Sequence, residues 1–137
     1  METSTSDVAS RVIEAAHAES SDERARVLVR LAQDLRRYGR AAVALKALDA
    51  ACEIQPSDEI RRAAYTCAIE AHCDLGQYIV AEVIEREQAR CTVDDAFARA
   101  ALRLYSALSR WTGFDSHFAR RAYYISLLSG ELAATGD

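Results

Sequence analysis

Leu28, Leu31, Ala32 and Leu35 recur at spacings of three and four, and Ala41, Ala44, Leu45, Leu48, Ala51 and Cys52 take up the same period a few residues later. That spacing gathers the apolar side chains on one side of a helix of about 3.6 residues per turn and leaves the other side polar. The pattern continues through Tyr65, Ala68, Ile69 and His72, then Tyr78, Ala81, Val83 and Ile84, then Phe97, Ala101, Leu102, Leu104, Tyr105 and Leu108. A last run from Phe114 to about Leu132 is apolar on more than one face. Ahead of them all, Val8, Val12, Ile13, Ala15 and Ala16 predict a short capping helix over residues 7–18.

The breaks between runs are as regular as the runs. Tyr38-Gly39-Arg40-Ala41, Leu75-Gly76-Gln77-Tyr78 and Thr112-Gly113-Phe114-Asp115 place Gly39, Gly76 and Gly113 at intervals of 37 residues. A glycine there can take the left-handed conformation that closes a helix, so each phrase predicts the elbow of a helix hairpin. Ser20 and Glu23 have the spacing of a capping box that opens the first hairpin. Pro56 stops its second helix, Ser57 is expected to cap the next, and Thr92 to start the third hairpin. The prediction is all-α: a single domain over 1–137, an α-solenoid of three hairpins at 21–56, 57–91 and 92–133 behind the capping helix. Residues 1–6 and the tail from Ala134 are expected to fray.

Composition sharpens this picture at a few points. The 27 alanines and single proline suit continuous helices. A net charge of -4 argues against nucleic acid as a partner. Lys46 is the one lysine among 17 basic residues, a bias that leans towards a bacterial source of high GC content. Asp7, Arg11 and Glu14 interrupt any apolar leader, and no run reaches the roughly 18 apolar residues of a membrane span, so no membrane partner and a cytoplasmic location are expected. Cys52, Cys67, Cys73 and Cys91 lack the C-x-x-C spacing of a zinc or redox pair and read as packed thiols. His17, His72 and His117 fall in separate elements, and no phosphate loop or nucleophile motif is present, so neither catalysis, a metal nor a cofactor is expected. Adjacent His72 and Cys73 would point about 100° apart on a helix. Trp111 is expected to wedge the third hairpin.

The residues resemble the tetratricopeptide repeat family. Leu28, Leu31, Ala32 and Leu35 stand at the family's Trp, Leu, Gly and Tyr places, and Ala44, Leu48, Ala51 and Pro56 at its Ala, Phe, Ala and Pro places. In the second hairpin Gly76, Tyr78 and Ala81 match, while His72 replaces the usual Tyr and Glu85 a large apolar residue. In the third Gly113 is kept, but Phe118 replaces the small residue where the two helices touch. The resemblance covers 22 to about 132. It implies that the first helix of each hairpin lines a concave surface that grips other proteins.

Two candidate surfaces follow. The face left on those first helices holds Arg26, Val29, Gln33, Arg36, Arg62, Thr66, Glu70, Arg99, Arg103 and Arg110, a basic groove expected to take a protein or peptide segment, acidic or amphipathic. The competing account is a solvated face paired with its own acids. A carboxylate clamp is not expected, because the places that would carry its Lys and Asn hold Val29, Gln33, Cys67, Ala100 and Leu104. The second surface is the last helix, with Phe114, Phe118, Tyr124, Leu128 and Leu132: it pairs with another copy as a homodimer, meets a different protein, or folds inward. The expected function is a non-catalytic protein-binding module, a small adaptor or chaperone, similar in size and layout to the small chaperones of bacterial type III secretion. A self-assembling structural subunit and a sensor domain of a larger regulator are the alternatives.

Overall fold

A computed structural model describes residues 5–17, 20–90 and 93–135. Among them are seven helices: α1 (Thr5–His17), α2 (Ser21–Arg37), α3 (Ala41–Glu53), α4 (Asp58–Asp74), α5 (Tyr78–Gln88), α6 (Asp95–Thr112) and α7 (Asp115–Thr135). The fold is all-α and repeat-like, a stack of three hairpins, α2–α3, α4–α5 and α6–α7, with α1 against α2. Helices α2, α4 and α6 pack on one another as one row, and α3, α5 and α7 stand behind it.

The elbows are glycine-built as the sequence predicts, with φ of 78°, 72° and 69° at Gly39, Gly76 and Gly113. At the first two the amide after the glycine reaches back five residues, Arg40 to the Leu35 carbonyl and Gln77 to that of His72, both at 2.8 Å, while the glycine amides bond Arg36 and Cys73. That is the paired closure of a Schellman motif. The third elbow has one such bond, from the Gly113 amide to the Ser109 carbonyl at 3.0 Å. Thr112 completes it, its hydroxyl donating to the Leu108 carbonyl and accepting from the Phe114 amide.

Helix starts are fixed by side chains. The Ser20 hydroxyl accepts from the Glu23 amide at 3.1 Å, and the Asp94 carboxylate from the Phe97 amide at 2.8 Å. Asp94 therefore caps α6, and Thr92 lies outside the described residues. Ser57 precedes α4 but makes no side-chain cap bond; its amide instead donates to Asp22 at 2.9 Å, which pins the start of α4 to that of α2. Helix α7 runs to Thr135, past the point where fraying is expected, because the chain there keeps strong helix formers.

The buried residues form two clusters, one with Leu28, Leu31, Leu35, Leu48 and Ile60 and the other with Ile69, Phe97, Leu104, Tyr105 and Leu108, and half-buried Ile84 packs against both. Fully buried alanines at 25, 32, 44, 51, 81 and 101 let the helix axes approach closely. Three expectations from the apolar pattern are corrected. Val83 and Trp111 face solvent, Trp111 as no wedge, and Phe118 is exposed rather than at the helix contact.

At the place left by Val83, α5 turns Glu85 inward, where it is fully buried. Its carboxylate accepts from Arg120 Nη2 at 2.6 Å, from the Tyr105 hydroxyl at 2.5 Å, and from the Tyr124 hydroxyl. The guanidinium of Arg120 also lies over the Tyr105 ring, 5.4 Å from its centroid. Beside this group, His117 Nε2 donates to Glu82 at 3.1 Å and Nδ1 meets the Thr112 hydroxyl at 2.7 Å. The third hairpin is thus tied to α5 by a polar cluster, where the apolar pattern leads one to expect hydrocarbon.

Two stability predictions follow. Gly76→Ala meets no neighbouring atom, so its cost is the backbone alone, about 1 kcal/mol for a left-handed alanine; Gly130→Ala, inside α7 and equally open, should raise stability by about 0.5–1 kcal/mol. Glu85→Ala orphans two hydroxyls and a guanidinium and should cost about 3 kcal/mol, the low end for a broken buried pair because Arg120 is partly exposed. Urea unfolding followed by circular dichroism measures all three.

Candidate interaction surface

The α2–α4–α6 row exists because the first helix of each hairpin is the one that contacts its counterpart in the next, so its polar residues form one shared face. The structure places Arg26, Gln33, Arg99, Arg103 and Arg110 on that face exposed, and Arg36, Arg62 and Glu70 half-buried. Val29 does not belong to it: it is buried in the core, because α2 lies between α1, α3 and α4 and its apolar stripe is wider than an isolated wheel suggests. Thr66 is buried as well, at the floor of the face.

The arginines at its centre are paired within the molecule. Arg36 Nη2 lies 2.6 Å from Glu70, and Arg36 Nε 3.2 Å from Asp74. Arg103 reaches the other oxygen of Asp74 at 2.7 Å and the Glu70 carbonyl at 3.4 Å. Burial alone lowers the Arg103 pKa, but its bond to Asp74 and the negative charges of Asp74 and Glu70 together raise it, so the cation is held. Arg99 pairs with Asp95 on its own helix at 3.0 Å. These contacts stitch α2, α4 and α6 together and leave the centre of the face electrically mixed rather than basic. The sequence names Glu70 there but not Asp74, whose position four residues further along α4 is the signal that could have found it.

Between α2, α4 and the start of α6 the face opens into a cleft of about 290 Å³, lined among others by Gln33, Arg36, Ala63, Thr66, Glu70 and Asp94. Thr66 is among the lining residues, and its hydroxyl oxygen is closed off from solvent and has no hydrogen-bond partner. Arg36 Nε is in the same state, since its approach to Asp74 lacks hydrogen-bond geometry. A buried group of this kind costs about 1–3 kcal/mol until something bonds to it. In the cleft Arg36 and Arg37 face Glu70 and Asp94, so the formal charges balance.

On the last helix the five expected residues divide. Phe114 and Phe118 are exposed and Leu128 is half-buried. Tyr124 is fully buried against Glu85, Phe97 and Tyr105, which removes it from any contact with a partner. The Leu132 side chain lies outside the described residues.

Among the described residues no group of three or more His, Cys, Asp or Glu side chains could hold a metal, and no helix is long and apolar enough to cross a membrane. Cys67 and Cys73 are buried, and burial pushes each thiol up to about 11, so both stay protonated and unreactive at neutral pH. Cys91 lies outside the described residues. Burial and the bond to Glu85 likewise raise the Tyr105 and Tyr124 phenols above their ordinary range.

These shifts set an alkaline limit. The folded state holds the thiol protons more tightly than the unfolded chain, so their contribution is complete below the ordinary thiol value of 9.0 and is lost as pH rises towards 11. The urea midpoint should fall over that interval, and Cys67→Ala with Cys73→Ala should flatten the fall. No family model matches the chain, nor does any curated protein or solved structure.

Proposed function

We propose that the protein is a non-catalytic interaction module, a small cytoplasmic adaptor or chaperone that takes a segment of a partner protein along the α2–α4–α6 face. The observation that carries this reading is the cleft at Thr66, a concave space with a buried hydroxyl that lacks a partner. A ligand that bonds to Thr66 relieves a penalty present in the free protein, which is a driving force specific to that position. Because the charges lining the cleft balance, the group that suits it is a neutral polar one: a backbone amide or an Asn or Gln side chain. Acidic residues of the same segment would meet exposed Arg26 or Arg110 outside the cleft. The resemblance to tetratricopeptide repeats, whose inner helices grip extended or helical segments, supports the same face. The mechanism is reversible masking, without covalent chemistry.

Display selection of peptides on the immobilised full-length protein tests this. Selected peptides should carry a neutral polar residue at a fixed position. They should bind the Ala63→Phe variant, which fills the cleft, at least about tenfold more weakly, a difference of about 1.4 kcal/mol. Failure to enrich any peptide, or equal binding to a folded Ala63→Phe variant, overturns the reading.

A further inference from the structure

A second surface, at the far end of the stack, is built differently. Phe114, just ahead of α7, and Phe118 and Ile125 on it are exposed and fall at intervals of four and seven, one stripe along one side of the helix, with Arg121 inside it and Leu128 at its edge. Beside that stripe α6 presents Ser106, Ser109 and Arg110, and the two helices enclose a groove of about 380 Å³ lined by these residues with Phe118 and Arg121. The serines are small enough for another helix to approach closely. Two arginines and no acid line the groove, and among the described residues no element beyond α6 packs on α7 by its backbone. The occupant that fits is a helix with an apolar stripe and an acidic flank.

The opposite end of the same chain carries such a helix. On α1 Ala9, Val12, Ile13 and Ala16 are all exposed at spacings of three, four and seven, and among the described helices α1 packs by its backbone against α2 alone. Arg11 is drawn inward to Asp34 at 2.6 Å and lies 3.7 Å from Asp7, so the acid that α1 turns outward is Glu14, exposed next to Ile13. We infer that α1 of one copy docks in the α6–α7 groove of a second copy, joining the proteins head to tail. A two-fold contact through the groove alone would instead set Arg110 and Arg121 against the same arginines of the partner, with no acid in the lining to offset them. Because α1 and α7 close opposite ends of the stack, the contact is heterologous, and each added copy leaves one head and one tail open. This surface is separate from the Thr66 cleft.

Ile13→Glu and Phe118→Glu change exposed side chains, one on each half of the contact. Light scattering of the full-length protein should show the wild-type mass rising with concentration past two chains, and falling as salt screens the pairing. Each variant alone should stay at the single-chain mass of 15.1 kDa, with helical content unchanged by circular dichroism. Mixed together they should form a complex of two chains and stop there, because the intact head of one variant meets the intact tail of the other. A wild type that stays a monomer overturns the inference. So does an Ile13→Glu variant that still pairs, which is the outcome of a two-fold α7 contact, and so does a mixture that remains monomeric.

Discussion

The Glu85 carboxylate decides how the last hairpin is held. No Cα of α5 lies within 8 Å of one of α7, so the two helices meet only through side chains. Among the described residues, hydrogen bonds join Glu85 to Arg120 and Tyr124, and Glu82 to His117, between them. Burying a carboxylate is costly unless it is paired and its lone pairs are filled, and here a guanidinium and two hydroxyls do both. Burial alone would lower the Arg120 pKa, but its bonds to Glu85 and the charge there raise it, so the guanidinium stays charged. Apolar packing between alanine-rich helices has little directional preference, whereas this cluster is satisfied in one rotation of α7. That rotation has a consequence at the surface. His117, Arg120 and Tyr124 occupy the inward side of α7, and Phe114, Phe118 and Ile125 are thereby turned outward.

A second polar network plays the corresponding part on the inner row. Arg36, Glu70, Asp74 and Arg103 link three helices from three hairpins, each pair partly open to water. Such pairs add little stability apiece, and their effect is to fix how α2, α4 and α6 lie side by side. The same pairing limits what the face can bind: an incoming carboxylate must displace Glu70 or Asp74 to reach Arg36 or Arg103. Among the described residues, unfilled hydrogen-bonding capacity remains at the Thr66 hydroxyl and at Arg36 Nε.

The elbows were legible because one residue type in one conformation produces them, and the amphipathic period then located every helix between them. The capping boundaries at Ser20 and the stop near Pro56 were legible for the same local reason. What the sequence hid was long-range. Glu85 stood out as a departure from an apolar slot, but its partners lie 20, 35 and 39 residues away on two other helices, and helical spacing cannot pair them. Val29 was misplaced because a wheel drawn for one helix assigns a single apolar stripe, while α2 has neighbours on three sides. Tyr124 left the expected terminal surface while Phe118 stayed on it, for a related reason. Both are aromatic, and only the tyrosine has a hydroxyl for Glu85, so the tyrosine is drawn inward and the phenylalanine left outside.

Helix α6 shows how far the two binding surfaces are independent. Phe97, Ala101, Leu104, Tyr105 and Leu108 form its core side, Arg103 points to α4 on the inner face, and Ser106, Ser109 and Arg110 line the terminal groove. Arg103, Ser106 and Arg110 stand at intervals of three and four, so the inner face and the terminal groove share one side of α6. A helix seated in the groove would run close to Arg103 and its pair with Asp74. The Thr66 cleft lies between α2, α4 and the first turn of α6. The proposed contact through the ends and the proposed capture in the Thr66 cleft draw on different lining residues, with Arg103 and Arg110 between them.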